Sequence, residues 1–358
     1  MSFKNLKDKF CNLKKNVKFN RWWVITFLFS FALMLTFVDV TLNRNAVIRS
    51  FKFGIGSMIS DLNEVGIDVA YDDIEFDNIF IFPLLKIKNL SVYNLKGEKL
   101  WNVKIEKIFA RPSFWGNRKI KFSTDGNISL IADNKNWQIN TDETEMILRL
   151  NKNYKFNSFE LYLNNVVIKD VAKVKKIVLA LRGVTDKVKN NILPLSMEGH
   201  LEINNVQLNG LLDYPLTSNI RRIYTNLNLW GNFDDNEGML LGAENWLKSG
   251  GFIDVSSLMI SWDPLLLVGR GDVHFNENFE PKVSLHTSSK ALFNLLNDLQ
   301  NKKYLERKGV FVANILLGAK AFKSNEKDEH YIVTTPITYR DKKLSVENIT
   351  VKNFNRKN

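Results

Sequence analysis

Five times along this chain the same eight-residue pattern recurs, with apolar side chains at positions 1, 3, 6 and 8 and Asn or Ser at position 5. The copies are LKIKNLSV from Leu85, LYLNNVVI from Leu161, LEINNVQL from Leu201, IDVSSLMI from Ile253 and LSVENITV from Leu344. A regular strand alternates its side chains strictly, so the two halves of such a pattern would fall on opposite faces. One extra residue in the middle returns both halves to a single face, and a β-bulge supplies it. Asn tolerates the unusual backbone angles this requires. Bulges are therefore expected at Asn89, Asn165, Asn205, Ser257 and Asn348. The other solution is a strand end, a turn and a new strand, and the pattern alone allows both.

Period-two alternation continues outside these copies. IDVAYDDIEF, WNVKIEKIFA, RKIKFSTDGNISLIA, KKIVLALRG, YTNLNLWG, LLLVGRGDVHF, KVSLHTS and YIVTTPITY bring the total to about twelve candidate strands separated by Gly, Asn and Asp, the mark of antiparallel β-structure. Two stretches break the alternation. EGMLLGAENWLKS reads as a helix stopped by Gly250 and Gly251, and the segment from Ser288 to Phe322 reads as a helical pair broken near Lys308 and Gly309. The expected fold is mainly β, a long antiparallel sheet with a few C-terminal helices. Leu265, Leu267, Val273 and Phe275 share one face of their strand, and Leu85, Ile87, Leu90, Val92, Leu201, Ile203, Leu258 and Ile260 supply comparable apolar positions elsewhere. Such a face lines either a packed core or an open groove.

The N-terminus has a different character. Residues 1 to 21 carry seven basic side chains against the single acid Asp8, half of the formal net charge of +12. Trp22 to Val38 then runs for 17 residues without a charge. That length is at the short end of the roughly 17 to 25 residues that span a bilayer, and Val40 to Leu42 extend it. No small-residue cleavage site follows, so an uncleaved anchor is expected, with Trp22 and Trp23 at the inner interface and Val38 near its far end. The basic flank places residues 1 to 21 in the cytoplasm and the bulk of the chain in the periplasm of a bacterial inner membrane. The sole cysteine, Cys11, falls in that tail, so the exported part forms no disulfide. The expected organisation is a basic tail (1–21), an anchor (22–42), a helical neck (43–66), an N-terminal β half (67–210) and a C-terminal β half with helices (211–358).

Beyond the tail the basic residues are spread thinly and are not interleaved with aromatics, which argues against nucleic acid as a partner. The four histidines, His200, His274, His286 and His330, stand on separate strands or loops in no metal-ligand spacing. GIG at Gly54 lacks a third glycine, RGD at Arg270 is a strand-end coincidence, and DDNEG from Asp234 reads as a solvated turn. No nucleophile, general base, metal or cofactor site is nominated.

The segment LLKIKNLSVYNLKGEKLWNVKIEKIFARPSFWGNRKIKFSTDGNISL, from Leu84, resembles the opening of AsmA-like proteins. AENWLKSGGFIDVSSLMISWDPLLLVGRGDVHFNENFEPKVSLHTSS, from Ala243, is similar to the alphaproteobacterial domain-of-unknown-function family 2125. There a Trp-bearing helix ends in Gly-Gly, and a strand, a Trp-x-Pro-Leu turn and a second strand closing with Gly follow. Trp246, Gly250, Gly251, Trp262, Pro264, Leu265 and Gly271 occupy those positions, while Asp263 replaces a small residue and Pro112 and Trp115 match the Pro-aromatic turn less tightly. The resemblance covers most of the chain beyond the anchor, and its motifs are turn and packing residues. It implies a curled, taco-like sheet whose apolar lining binds or transfers phospholipid, with the membrane and other envelope proteins as partners. The twelve apolar positions named above are the corresponding groove candidates. The alternative is a scaffold of an envelope complex that moves no lipid.

Overall fold

The computed structural model describes residues 67–77, 84–94, 101–112, 118–132, 135–151, 156–184, 193–210, 216–232, 239–276, 280–323 and 330–353, together with single helical positions at Ser30, Gly56, Ile59, Ser60 and Asn63. The expected anchor apart from Ser30, with Trp22, Trp23 and Val38, and most of the neck lie outside the described residues. Among those described, no helix is long and apolar enough to cross a membrane. The chain divides into two compact units, Met1–Met58 with Asn78–Pro83 and Ile59–Asp77 with Leu84–Asn358. The second holds the sheet.

Seventeen strands and three helices are described in that unit. They are β1 (Asp68–Ala70), β2 (Asp73–Asp77), β3 (Leu84–Asn94), β4 (Trp101–Pro112), β5 (Lys119–Ala132), β6 (Lys135–Asn140), β7 (Glu143–Leu150), β8 (Phe156–Ile168), β9 (Ala172–Gly183), β10 (Leu195–Leu208), β11 (Asn219–Trp230), α1 (Met239–Lys248), β12 (Phe252–Trp262), β13 (Leu265–Phe275), β14 (Pro281–Lys290), α2 (Leu292–Asn301), α3 (Arg307–Lys320), β15 (Ile332–Arg340), β16 (Lys343–Val346) and β17 (Ile349–Asn353). All pairings are antiparallel and follow chain order, a meander whose two long connections, between β11 and β12 and between β14 and β15, carry the helices. Two rungs are broken strands. β1 and β2 both pair with β3 in one register and are interrupted at Tyr71–Asp72, and β6 and β7 are likewise interrupted at Thr141–Asp142 while both lie along β8. β6 and β7 escape the sequence reading because KNWQIN and ETEMILRL alternate poorly.

The five-fold pattern resolves into three devices. Asn89, Asn165 and Asn205 sit inside β3, β8 and β10 with φ of 50°, 50° and 51°, the left-handed region. The neighbouring strands keep their register across these positions, so the slip is a single left-handed residue and not an inserted one. At Ser257 it is a bulge, since Ser256 and Ser257 lie between the Val255–Gly271 and Leu258–Gly269 pairs and together oppose Arg270. Asn348 is different. With Glu347 it forms a two-residue turn, φ 52° and 61°, joining β16 to β17, so the bulge expected there is a hairpin.

The C-terminal helices form the best-sealed core. Leu292 and Leu296 of α2 and Val310, Ala313 and Leu317 of α3 pack with Val333, Val346 and Val351 of β15, β16 and β17. Each large apolar side chain buried there contributes about 1.5–3 kcal/mol. The break between the helices falls at Lys302–Glu306, where Lys303 is left-handed with φ 62°, and not near Lys308 and Gly309 as expected. Gly309 lies within α3 for a packing reason. A Cβ there would come within 2.3 Å of the Thr350 carbonyl oxygen, so only glycine lets the helix approach β17 so closely.

α1 is held by its tryptophan. Trp246 donates its indole N–H to the Trp230 carbonyl at 2.8 Å and meets Phe275 edge-on at 6.2 Å. A Cβ at Gly231 or Gly251 would fall within 2.7 Å of its ring, so two glycines shape the slot. The helix ends with Gly250 N–H donating to Leu247 and Gly251 N–H to Trp246, the paired bonds of a left-handed glycine cap.

Candidate functional site: the apolar face of the sheet

The registers join apolar side chains into rows that run across the strands. One row passes from Leu85 through Ala110, Phe122, Met146, Leu161, Leu179 and Leu201 to Thr225, Leu258 and Gly269, from β3 to β13 without a gap. A second, beyond the left-handed asparagines, passes from Leu90 through Ile105, Ile128, Ile139, Ile168 and Ala172 to Leu208. Directly opposed residues share a face, so each row lies on one side of the sheet.

Both rows lie on the same side. Leu163, Ile177 and Ile203 from before the slip pack into one cluster with Val166, Ile168, Val206 and Leu208 from after it. Asn165, Lys175 and Asn205 fall on one line across β8, β9 and β10, between the Asn164–Lys176–Asn204 and Val166–Val174–Val206 pairs. The slip is thus shared by neighbouring strands and keeps the apolar face continuous.

This face is covered unevenly. Leu265 and Leu267 are buried at 4% and 7% exposure on β13, and the half-buried Phe275 meets Trp246 edge-on. Val273 pairs with Ile253 and Val283, and Ile260 lies between Ile223 and Leu267. Leu85, Ile87, Leu90 and Val92 on β3, and Leu201 and Ile203 on β10, are half-buried, as are Leu161, Leu163, Leu179 and Leu181. The helices make their main contacts with β13, β15 and β17. Phe122, Met146, Leu161 and Leu179 belong to the row although sequence reasoning did not nominate them. The alternation in FELYLNNVVI and KIVLAL carried the signal for the last two, whereas the charged flanks of β7 hid Met146.

The other face is polar. Arg149 pairs with Glu160, which also accepts from the Tyr162 hydroxyl at 3.1 Å, and the Arg149 guanidinium holds the Glu160 carboxyl below its ordinary pKa. Lys88 does the same for Glu75, and Lys121 pairs with Glu145 at 2.6 Å. Arg222 bonds Glu202 at 2.6 Å and stacks on Tyr224 at 5.0 Å. Tyr224 accepts from Asn226, whose Oδ1 lies 2.8 Å from His200 Nδ1. A depression of ≈ 360 Å³ borders this network at Arg182, Glu198, Asn226 and Ser256. Such a surface needs water, which orients the sheet's two faces by solvation alone.

His274 lies 3.1 Å from Asp272 and stacks on Phe252, apart from His200. Among the described residues no group of three or more His, Cys, Asp or Glu side chains could hold a metal ion.

The fold and this face define a mainly β protein, one large antiparallel sheet with few helices. No protein-family model matches the chain, and neither does any curated protein or solved structure.

Proposed function

We propose that this chain is a membrane-anchored periplasmic protein of AsmA-like type that binds or transfers phospholipid along the apolar face of its sheet. The observation that carries the reading is the Leu85-to-Leu201 row, which crosses β3 to β10 half-buried except at the buried Ala110, while the helices pack on β15 to β17. Strands twist, and open sheets of more than about ten strands curl, so a meander of this width closes toward a trough with its apolar face inside. An acyl chain exposed to water costs about 0.8 kcal/mol per CH2, and a continuous apolar trough removes that cost over its whole length. The basic tail and the uncharged Trp22–Val38 segment supply the inner-membrane anchor, with Cys11 on the cytoplasmic side. The reading involves no catalytic step, cofactor or nucleic acid.

The test is photocrosslinking in the cell envelope of the full-length chain carrying benzoylphenylalanine at Leu179 or Leu201. Phospholipid adducts identified by mass spectrometry at both positions are expected. Crosslinks to protein alone would replace the carrier with a scaffold of an envelope complex. A thiol reagent that cannot cross the inner membrane should leave Cys11 unlabelled in intact spheroplasts; labelling there would reverse the topology.

A further inference from the structure

α3 is apolar on both sides. Its inner face, Val310, Ala313 and Leu317, is fully buried, yet Phe311, Val312, Ile315 and Leu316 on the opposite side remain 65%, 41%, 59% and 42% exposed. An apolar side chain in water is ordinary when it stands alone, but four on one helical stripe form a patch that calls for an occupant. The surrounding charges say which. Lys303, Arg307 and Lys308 stand at the N-terminal end of the helix and pair with no carboxylate among the described residues, and at the 100° per residue of a helix Lys308 falls in line with the stripe. At the other end Lys320 bonds Glu347 at 2.8 Å. The cationic part of the stripe among the described residues is therefore its N-terminal end.

We infer that this outer stripe of α3 docks onto an anionic lipid bilayer, Phe311 and Ile315 entering the acyl boundary while Lys303, Arg307 and Lys308 meet the headgroups. Large apolar side chains beside basic ones are the composition of helices that lie in a membrane interface. A second copy of the chain fits less well. Two stripes packed parallel would bring Arg307 and Lys308 against their own copies, and packed antiparallel would bring them beside Lys320, whose carboxylate partner Glu347 is already taken, so neither arrangement supplies the anion they lack. The inference goes beyond lipid carriage and does not depend on it, because the stripe faces away from the core on which α3 rests.

The experiment uses the full chain with Cys11→Ser and Val312→Cys, labelled with an environment-sensitive nitrobenzoxadiazole dye and held in nanodiscs of phosphatidylcholine alone. Added vesicles of phosphatidylcholine and phosphatidylglycerol at about 7:3 should shift the emission to the blue, and vesicles of phosphatidylcholine alone should do so far more weakly. Arg307→Glu with Lys308→Glu should weaken binding by more than about fivefold per residue, and high salt should mimic that loss. Phe311→Asp with Ile315→Asp should abolish the shift while leaving thermal unfolding unchanged, since neither side chain is buried. An emission that ignores vesicles would overturn the proposal, as would one that turns blue with protein concentration alone, the signature of a second copy. Lipid adducts at Leu179 are a separate readout, so failure on either side is recognised for what it is.

Discussion

Asn165 donates its side-chain amide to Asp142 Oδ2 at 2.8 Å, and the backbone N–H of Asp142 donates in return to the Asn164 carbonyl. The same pair of bonds recurs between Asn89 and Asp72, at 2.6 Å for the amide, with the Asp72 N–H donating to Lys88. In both places a left-handed asparagine inside a long strand faces the interruption of its neighbour, Tyr71–Asp72 or Thr141–Asp142. The slip in one strand and the break in the next are one device, used twice.

That device predicts an ordered series at Asn165. Asn165→Gly keeps the left-handed angle at little cost, whereas Asn165→Val forces a β-branched residue to φ 50° and should destabilise by about 1–3 kcal/mol. Asp142→Ala removes only an exposed bond and should cost at most about 1 kcal/mol. Urea unfolding of the purified variants checks the order; Val equal to Gly would mean that the angle is not what the position demands.

Gly309 and Gly318 offer a contrast within α3. Gly309→Ala puts a methyl 2.3 Å from the Thr350 carbonyl and should lift the helix from β17, with a loss of about 1–3 kcal/mol or more. At Gly318 a Cβ meets nothing within 4 Å, so Gly318→Ala should be neutral or stabilise by about 0.4–1 kcal/mol through helix propensity and a stiffer unfolded chain. Thermal unfolding of the two single variants decides it.

Leu267 and Leu179 separate the sealed end of the apolar face from the uncovered stretch. Leu267→Asp places a carboxylate at a buried position and should cost several kcal/mol, seen as a lowered unfolding temperature. Leu179→Asp, half-exposed, should leave the protein folded and reduce lipid adducts at Leu201. Collapse of both variants would make the whole face a packed core.

Glu160 predicts the acid limb of stability. Its carboxyl is held below the ordinary 4.5 by Arg149, and its folded-state pKa is therefore depressed. The stabilisation is fully present above the unfolded value and is lost as pH falls through the folded one. Glu160→Gln should be less stable than the parent at neutral pH, and the gap should narrow as pH drops below about 4.5. A gap that stays constant down to strongly acidic pH would show that the ion pair contributes nothing of its own.

The strands other than β6 and β7 were legible because alternation is a local property, and so was the phase slip, since apolar residues at 1, 3, 6 and 8 cannot share a face of a regular strand. How each slip is made was not legible. Asn89, Asn165 and Asn205 carry it by a left-handed angle, Ser257 by a bulge and Asn348 by a turn, because the choice depends on what the neighbouring strand offers. Asp142 supplies a partner for Asn165, whereas β16 and β17 are too short to do other than fold back.

The sequence by itself determined that one face of a long antiparallel sheet is apolar and that Gly250 and Gly251 stop the helix that carries Trp246, because side-chain period and backbone freedom are written residue by residue. Only the tertiary structure decided that Leu265 and Leu267 are buried while Leu179 and Leu201 stay half-open, and that Gly309 belongs inside a helix and not at its break. Burial depends on which distant element arrives to cover a surface. Leu267 and Leu179 have the same side chain in the same alternation, and they differ in how much of the rest of the chain closes over them.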